Sequence, residues 1–154
     1  MSKALIIVFS YHHGNTEKIA GAMAEALMAD VMQPKDIIIE TLDNYSLIGF
    51  GAGIDSGNHY PELIEFAKTL PQVEGKNCFI FSTSGVYSKK SNERNHKALR
   101  QILTEKGYNI LDEFGCAAFN TNSILKHFGG MNKSHPDATD FDAARAFARS
   151  LINK

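Results

Sequence analysis

Apolar residues in this chain follow two spacings that alternate along its length. A continuous apolar run, Ala4–Phe9, is typical of a strand covered on both faces in a parallel sheet. Beyond residue 16, Ile19, Met23 and Leu27 recur every four residues, the spacing that places side chains on one face of a helix. The start of the chain is therefore predicted to be a strand followed by a helix.

The same alternation predicts four further strands. They are expected at Ile37–Ile39, Leu47–Gly51 and Cys78–Phe81 and within Asn109–Phe119. Because helical patterns separate most of these runs, the connections should be right-handed crossovers between parallel strands. The predicted fold class is α/β, with a doubly wound parallel sheet.

Three further helices are predicted between and after these strands. Pro61 suits the first position of the helix that follows the third strand. A second helix should end at the glycine cap Gly107, and a third should begin with the pair Thr139 and Asp142, which resembles a capping box. Their apolar stripes are, in chain order, Leu63, Phe66, Ala67 and Leu70; Leu99, Ile102 and Leu103; and Phe141, Ala144, Phe147 and Leu151.

Composition narrows the class of protein. The chain has 154 residues, 44% of them hydrophobic and 21% charged, with a net charge of −1 at pH 7. This length is typical of one domain, so residues 1–154 are expected to form a single domain. The near-neutral charge argues against a nucleic-acid partner, and no apolar run approaches the roughly 20 residues of a membrane span. We expect a cytoplasmic protein in which Cys78 and Cys116 are buried small hydrophobes.

Polar loops follow the first, third and fourth predicted strands, where open α/β sheets bind their ligands. The first loop, Ser10–Thr16, carries hydroxyls, an amide and a glycine just before a helix. A helix N-terminus presents unpaired N–H groups and a positive dipole end, so this loop could bind a phosphate. The alternative is that Asn15 or Thr16 only caps the helix and Gly14 makes the turn.

Several other motifs are excluded. The first loop lacks the leading glycine and the lysine of a Walker A loop. The segment Gly49–Ile54 approaches the dinucleotide fingerprint, but it ends in isoleucine and follows the third strand instead of opening the first helix. A cysteine phosphatase loop has an arginine at a fixed distance after its cysteine, but the residue at that distance after Cys78 is Ser84. The elbow of a serine hydrolase is absent because Ser82 stands where its first glycine should be.

The loop ending in Gly14–Glu17, in an α/β chain of this size, resembles that of the flavodoxin family. Members of this family have a hydroxyl-rich loop ending in T-G-N-T or a close variant, and its amides and hydroxyls hold the phosphate of FMN. Gly14–Thr16 match this motif, and Ser10 keeps a hydroxyl. The resemblance covers nearly the whole chain and implies a three-layer sandwich: a five-stranded parallel sheet of order 2-1-3-4-5 with helices on both faces. The departures from the family pattern are Tyr11, His12 and His13.

The resemblance also implies which residues contact the flavin. The loop Ala52–Tyr60 would pack against the ring, and Ser82–Tyr87 would bind its edge through backbone groups. The chain has no tryptophan, so Tyr87 could stack on one face of the ring and Ile54, His59 or Tyr60 on the other. Taken alone, the first of these loops could be an ordinary glycine-rich surface loop and the second a simple turn at the end of a strand. The expected cofactor-binding residues are Ser10, Tyr11, His12, His13, Gly14, Asn15, Thr16, Ala52, Gly53, Ile54, Thr83, Ser84, Gly85 and Tyr87.

The chain has six histidines, and two of them are adjacent in the first loop. A phosphate contact suits His12 and His13 better than a metal does, because no carboxylate or cysteine lies at a compatible local spacing. A protonated imidazole there would strengthen FMN binding as the pH falls. The remaining loop, Asn120–Pro136, is long for an α/β connection and is predicted to be a binding loop or a lid. Three histidines belong to no constellation and are predicted to be surface or capping residues: His96, His127 and His135.

Two functions of different classes follow. The first is an FMN-binding protein, a monomer or weak homodimer, that acts in electron transfer or flavin-dependent reduction with a redox partner protein or a small-molecule electron acceptor. Carrier flavodoxins are typically strongly acidic, so the near-neutral charge of this chain leaves carrier and enzyme both open. The second is a binding or regulatory domain with the same fold that has lost its flavin. A receiver-type signalling domain is disfavoured because no acidic cluster follows the first strand.

Overall fold

The computed structural model describes residues 3–11, 14–85, 88–118 and 135–154. The strands are β1 (Ala4–Phe9), β2 (Asp30–Met32), β3 (Leu47–Asp55), β4 (Asn58–His59), β5 (Asn77–Ser84) and β6 (Asn109–Ala117). The helices are α1 (Asn15–Leu27), α2 (Pro61–Lys68), α3 (Lys89–Asn95), α4 (Lys97–Glu105) and α5 (Ala138–Leu151). Two short 3₁₀ helices, Pro34–Asp36 and Ile39–Asn44, lie between β2 and β3. Among the described helices, none combines the length and the apolar composition that crossing a membrane requires.

The sheet has the predicted strand order. Five strands run parallel in the order β2-β1-β3-β5-β6. A sixth strand, β4, was not expected and pairs antiparallel with the end of β3. Phe9 pairs with Ala52, and Gly53 pairs with Thr83, so the carboxyl ends of β1, β3 and β5 meet at one edge. This edge is where the fold predicts a ligand.

Helices cover both faces of the sheet, as expected. Leu5 and Ile7 of β1 belong to an apolar layer that includes residues of α2 and α4. Ile6 and Val8 belong to the opposite layer, with residues of α1 and α5. Burial of one such side chain contributes about 1.5–3 kcal/mol, so the two layers together supply the main stabilisation of the sheet.

The second strand lies earlier in the chain than predicted. Ile37–Ile39 was expected to form it, but β2 (Asp30–Met32) pairs with β1 instead. Pro34 starts a 3₁₀ helix and has no N–H to donate to a strand ladder. The flanking side chains, Ile37 and Ile39, pack against the core, and Ile38 is 63% exposed. Tertiary packing therefore overrides the strand propensity of this β-branched run.

The predicted loops after the third and fourth strands are shorter than expected. Strand β3 continues to Asp55, and the chain then turns at Ser56 and Gly57, both with positive φ, into β4. Likewise β5 continues to Ser84. The next helix, α3, already begins at Lys89, so the polar segment Ser82–Asn92 is only partly a loop. The polar composition at the ends of β3 and β5 favoured loops over strands in the sequence. These residues nevertheless pair within the sheet at its ligand-binding edge.

The ends of two helices test the capping predictions. Gly107 follows α4 with a φ of 94°, and its N–H donates to the Thr104 carbonyl, which confirms the glycine cap. The capping box of α5, in contrast, consists of Asp137 and Asp140 and not of Thr139 and Asp142. Asp137 accepts a hydrogen bond from the Asp140 N–H at 3.0 Å, and Asp140 accepts one from the Asp137 N–H at 2.9 Å. The helix therefore begins one residue before Thr139.

Candidate functional site

The first turn of α1 and the end of β5 are joined by two hydroxyl groups. Thr16 is buried, and its Oγ1 lies 2.7 Å from Oγ1 of Thr83, which is also buried. Gly14, the N-cap of α1, has a left-handed φ of 65° and contributes no side-chain cap. The first helical hydrogen bond runs from the Lys18 N–H to the Gly14 carbonyl at 3.0 Å. A turn with a glycine cap and neutral hydroxyls at a helix N-terminus suits a phosphate group.

Aromatic side chains form a wall beside this turn. The rings of Tyr11 and Tyr60 are 4.6 Å apart, and Tyr11 lies at the same distance from Phe9. Tyr11 is exposed and Tyr60 is half-buried. Burial, with a smaller contribution from the charge of Asp55, raises the pKa of Tyr60, so its hydroxyl stays protonated at neutral pH. This wall offers a planar ligand an apolar surface with polar tips.

The third-strand residues predicted to contact a flavin lie mostly inside the sheet. Ala52 and Gly53 are buried in β3, and Ile54 is half-buried and pairs with His59 of β4. The Tyr60 N–H donates to the Gly53 carbonyl at 3.1 Å. A Cβ on Gly53 would lie 2.8 Å from the Tyr60 ring, so only glycine lets this ring pack against the strand. Tyr60 is thereby held at the ligand-binding edge.

The predicted residues at the end of β5 stay close to the same edge. Thr83 faces α1, whereas Ser84 and Gly85 are half-buried, and the Ser84 carbonyl accepts a hydrogen bond from the Ala118 N–H at 3.0 Å. The structure therefore brings together Gly14, Asn15, Thr16, Gly53, Thr83, Ser84 and Gly85. Other predicted site residues lie outside the described part of the chain: His12, His13 and Tyr87. Ser10 and Tyr11 follow β1 at this edge.

A partly buried polar network on the other face of β5 was not predicted. Ser82 Oγ lies 2.7 Å from His96 Nε2, and His96 Nδ1 lies 2.9 Å from Glu113 Oε1. Arg100 donates to both oxygens of Glu113, from Nε at 2.6 Å and from Nη2 at 2.7 Å. Asn92 Oδ1 lies 3.3 Å from Ser82 Oγ. We call these five residues the Ser82 network.

His96 was predicted to be a surface or capping residue; it occupies the cap position between α3 and α4, but it does not lie on the surface. It lies between α3 and α4, and its side chain is fully buried. The sequence signal was weak, because its partners Ser82 and Glu113 are 14 and 17 residues away and lie on two different strands. His135, in contrast, is half-exposed and bonds to Asp140 at the start of α5, and His127 lies outside the described residues.

His59 also lies in the interior instead of on an open face of the site. Its Nε2 donates to the Phe81 carbonyl at 3.0 Å, and its ring centroid is 4.8 Å from that of His96. Burial, reinforced by repulsion from His96, lowers the pKa of His59 to about 3, although the Phe81 hydrogen bond and Glu113 act in the opposite direction. His59 is thus neutral at physiological pH, and it is too deeply buried to stack on a ligand.

Glu113 carries the negative charge of the Ser82 network. Burial by itself would raise its pKa, but the hydrogen bonds from His96 and Arg100 outweigh that effect and hold the pKa at about 2. Beside it, a groove of about 690 Å³ runs along the edge of β6, lined by both charged and apolar residues, among them Lys89, Asn92, Arg100, Glu113 and Gly115. The network thus extends from this groove to the end of β5.

The cysteines have no place in the site. Cys78 and Cys116 are both free and buried, as predicted. Burial is the main reason that the pKa of each thiol is raised to about 12. Both side chains therefore act as small apolar groups in the core and not as thiolate nucleophiles.

Comparison with known proteins agrees with the fold, which defines an α/β protein of the flavodoxin type. Residues 6–122 match a family model described as a flavodoxin domain. The chain is 43% identical over 150 residues to the uncharacterized protein MJ0298 of Methanocaldococcus jannaschii, covering 97% of this chain and 98% of that protein. This chain belongs to the flavodoxin family.

Solved structures share the fold at low sequence identity. Oxidised flavodoxin 2 from Bacillus cereus superposes with a TM-score of 0.75 and 17% identity, over 99% of each chain. A flavodoxin from the domain Archaea gives a TM-score of 0.69 and 13% identity, over 98% of this chain and 96% of that one. The family generally binds a flavin, which agrees with a ligand site at the carboxyl edge of this sheet.

Proposed function

We propose that this protein binds one FMN non-covalently and transfers electrons between a donor and an acceptor. The observation that carries the proposal is the Thr16–Thr83 hydroxyl pair, which ties the glycine-capped N-terminus of α1 to the end of β5. Hydroxyl and backbone N–H donors at a helix N-terminus are the groups that hold a phosphate. Family membership supports a flavin, and this donor set supports one with a phosphate.

Different residues would bind the phosphate and the ring of FMN. Gly14, Asn15 and Thr16, with Ser10 and Thr83, would hold the phosphate. Tyr11, His12 and His13 would lie beside it, and a protonated imidazole of the pair would add attraction at low pH. The residues predicted to border the ring are Ala52, Gly53, Ile54, Ser84, Gly85 and Tyr87. A bound flavin would supply the redox chemistry, and the chain would orient the ring and exclude water from it.

We further propose that the electron donor or acceptor is a redox partner protein or a small molecule, met in the cytoplasm. The net charge of −1 provides no strong field to attract a basic partner from a distance. Recognition would then depend on contacts near the ring and not on long-range steering. The chain would act as a single domain, as a monomer or weak homodimer.

The first experiment is the visible absorption spectrum of the freshly purified protein. It is repeated after addition of FMN, FAD or riboflavin and removal of the excess by gel filtration. We expect FMN to be retained with its oxidised flavin bands and riboflavin to be retained more weakly, because riboflavin lacks the phosphate. Retention of no flavin at micromolar protein would overturn the proposal and favour a binding domain without a redox role.

A further inference from the structure

The hydrogen positions in the Ser82 network follow from its charged end. Glu113 is ionised and can only accept hydrogen bonds, so His96 Nδ1 must carry a hydrogen and donate it. When His96 is neutral, its Nε2 therefore accepts a hydrogen bond from the Ser82 hydroxyl. Two nitrogens of Arg100 donate hydrogen bonds to Glu113 and hold it in place. Glu113 thus sets both the tautomer and the orientation of the His96 ring.

Asn92 lies on the other side of the Ser82 hydroxyl, with its Oδ1 3.3 Å from Ser82 Oγ. The charged groups facing His96 are Glu113 and Arg100 from β6 and α4, and the neighbouring imidazole is His59 from β4.

His96 lies against both segments that are proposed to border the flavin ring. Ser82, its hydrogen-bond partner, directly precedes Thr83, Ser84 and Gly85. On the other side, the His96 ring lies beside His59, which belongs to the hairpin that follows Ile54 and donates to the Phe81 carbonyl. One fully buried imidazole therefore contacts the end of β5 and the hairpin after β3.

Stability alone does not explain this arrangement. Removing a carboxylate and an imidazole from water costs free energy that their attraction only partly offsets, and well-packed apolar residues often do as well. What directional hydrogen bonds add is a defined geometry, since each bond constrains a distance and an angle. The geometry constrained here is the spacing of two loops at the ligand-binding edge.

We propose that His96 is a positioning residue of the flavin site. Oriented by Glu113, it holds Ser82 and the His59 hairpin at the spacing that the flavin ring needs. The inference rests on the proposed function, since it assigns a role toward the same bound flavin. Loosening the two loops would admit water to the ring. Because a charged ring is less favourable in an apolar site than in water, the potential of bound FMN would move toward that of free FMN.

The test compares the wild-type protein with Ser82→Ala, which removes one hydrogen-bond partner of His96, and Glu113→Gln, which replaces the acceptor-only carboxylate that fixes the His96 tautomer by a neutral amide. We expect FMN, titrated by its fluorescence, to bind each variant at least about tenfold more weakly, the factor that corresponds to about one lost hydrogen bond. In both variants the midpoint potential of bound FMN should move toward that of free FMN. In the flavin-free wild-type protein, ¹⁵N NMR should show His96 protonated at Nδ1.

Two matched controls separate positioning from stability. Asp112→Asn removes the neighbouring carboxylate of β6, which pairs with Lys154 and not with His96. Leu103→Val shortens a buried leucine of α4, the helix that carries Arg100. It should lower stability without removing a contact of the network. Both controls should bind FMN as the wild type does and with the same potential.

The outcomes are distinguishable. If the wild-type protein retains no FMN, the proposed function fails, and this inference fails with it. If the wild type binds FMN but both network variants keep its affinity and potential, only the role of His96 is overturned. A wild-type His96 that carries its hydrogen on Nε2 alone would overturn it as well, because Glu113 would then not orient the ring.

Discussion

At the residue scale, the position of a hydroxyl decides whether it serves packing or binding. Thr16 and Thr83 are 67 residues apart in sequence, yet their hydroxyls lie 2.7 Å from each other at the N-terminus of α1. A bond between two hydroxyls uses only one of their two hydrogens, so the other hydrogen, together with the nearby positive helix end, can serve an anion. We therefore assign this pair to the phosphate of the proposed cofactor.

Replacing Thr16 by valine keeps the shape of the side chain and removes its hydroxyl. We expect Thr16→Val to weaken FMN binding by about 1.5–3 kcal/mol, the usual contribution of a hydrogen bond to a charged group, which is about tenfold or more in Kd. Riboflavin binding should change little. Fluorescence titration with both flavins is the measurement, and Thr69→Val, at an exposed helix end, is the control. Equal losses for FMN and riboflavin would contradict the phosphate assignment.

The buried His59 makes stability depend on pH in a definite direction. Its pKa is about 3 in the folded protein against 6.5 ordinarily, so between these values the unfolded chain binds the extra proton. Stability contributed by neutral His59 is thus complete above pH 6.5 and is lost as the pH falls toward 3. Two pH units below 6.5 correspond to about 3 kcal/mol.

We expect wild-type stability to fall on acidification from pH 6.5 to 4.5, and His59→Gln to flatten this decline. Urea unfolding at several pH values measures it. His135→Gln is the control, because the hydrogen bond to Asp140 raises the pKa of His135, a shift opposite in direction to that of His59. A decline of equal steepness in His59→Gln would show that other groups cause it.

At the element scale, helix ends depend on which side chain reaches the first free N–H groups. Both Asp137 and Thr139 are residues that favour an N-cap, and sequence spacing alone pointed to Thr139. The chain adopts an extended conformation at Asp137, whose carboxylate reaches the Asp140 N–H, so α5 begins at Ala138. A side chain already inside the first turn no longer serves as the cap.

This difference can be tested by a pair of alanine variants. Asp137→Ala removes the capping carboxylate of α5 and should lower the thermal midpoint by a few degrees. Thr139→Ala should leave it nearly unchanged, since that exposed side chain lies within the helix. Thermal unfolding followed by circular dichroism distinguishes the two. A larger decrease of the thermal midpoint for Thr139→Ala than for Asp137→Ala would indicate that Thr139 is the cap.

At the scale of the whole molecule, one sheet joins two apolar layers. Leu63 of α2 lies in the layer with α4, and Met23 of α1 lies in the layer with α5. Gly49 of β3 helps to pack the second layer, because a Cβ there would lie 2.2 Å from the Phe79 ring. Since β1, β3, β5 and β6 contribute to both layers, loss of either layer should expose the shared sheet.

We therefore expect the chain to unfold as one domain in a single two-state transition. Urea curves from far-UV circular dichroism and from tyrosine fluorescence should coincide. Leu63→Ala and Met23→Ala should each shift the whole curve, by about 2–5 kcal/mol of stability. Two separated transitions, or a variant that shifts only one probe, would contradict the single-domain expectation.

The sequence by itself determined the α/β class, the first strand and the motif that follows it, whereas the strand order came from the resemblance to the flavodoxin family. Local pattern suffices there: Ala4–Phe9 is a continuous apolar run, and Gly14–Thr16 is a short motif whose residues act in sequence. The alternation of such runs with helical stripes restricts the topology of a parallel sheet, because crossovers are right-handed. These patterns are local, so they identify the elements without knowledge of distant contacts.

Only the tertiary structure decided which polar residues lie inside and what they touch. The predicted strand Ile37–Ile39 instead connects two 3₁₀ helices, because its neighbours and not its own propensity set its packing. His96, which has no local motif, acquired its partners from β5 and β6. Hydrogen bonds between residues far apart in sequence depend on the registers of separate strands, and those registers are set by the packing of the whole sheet.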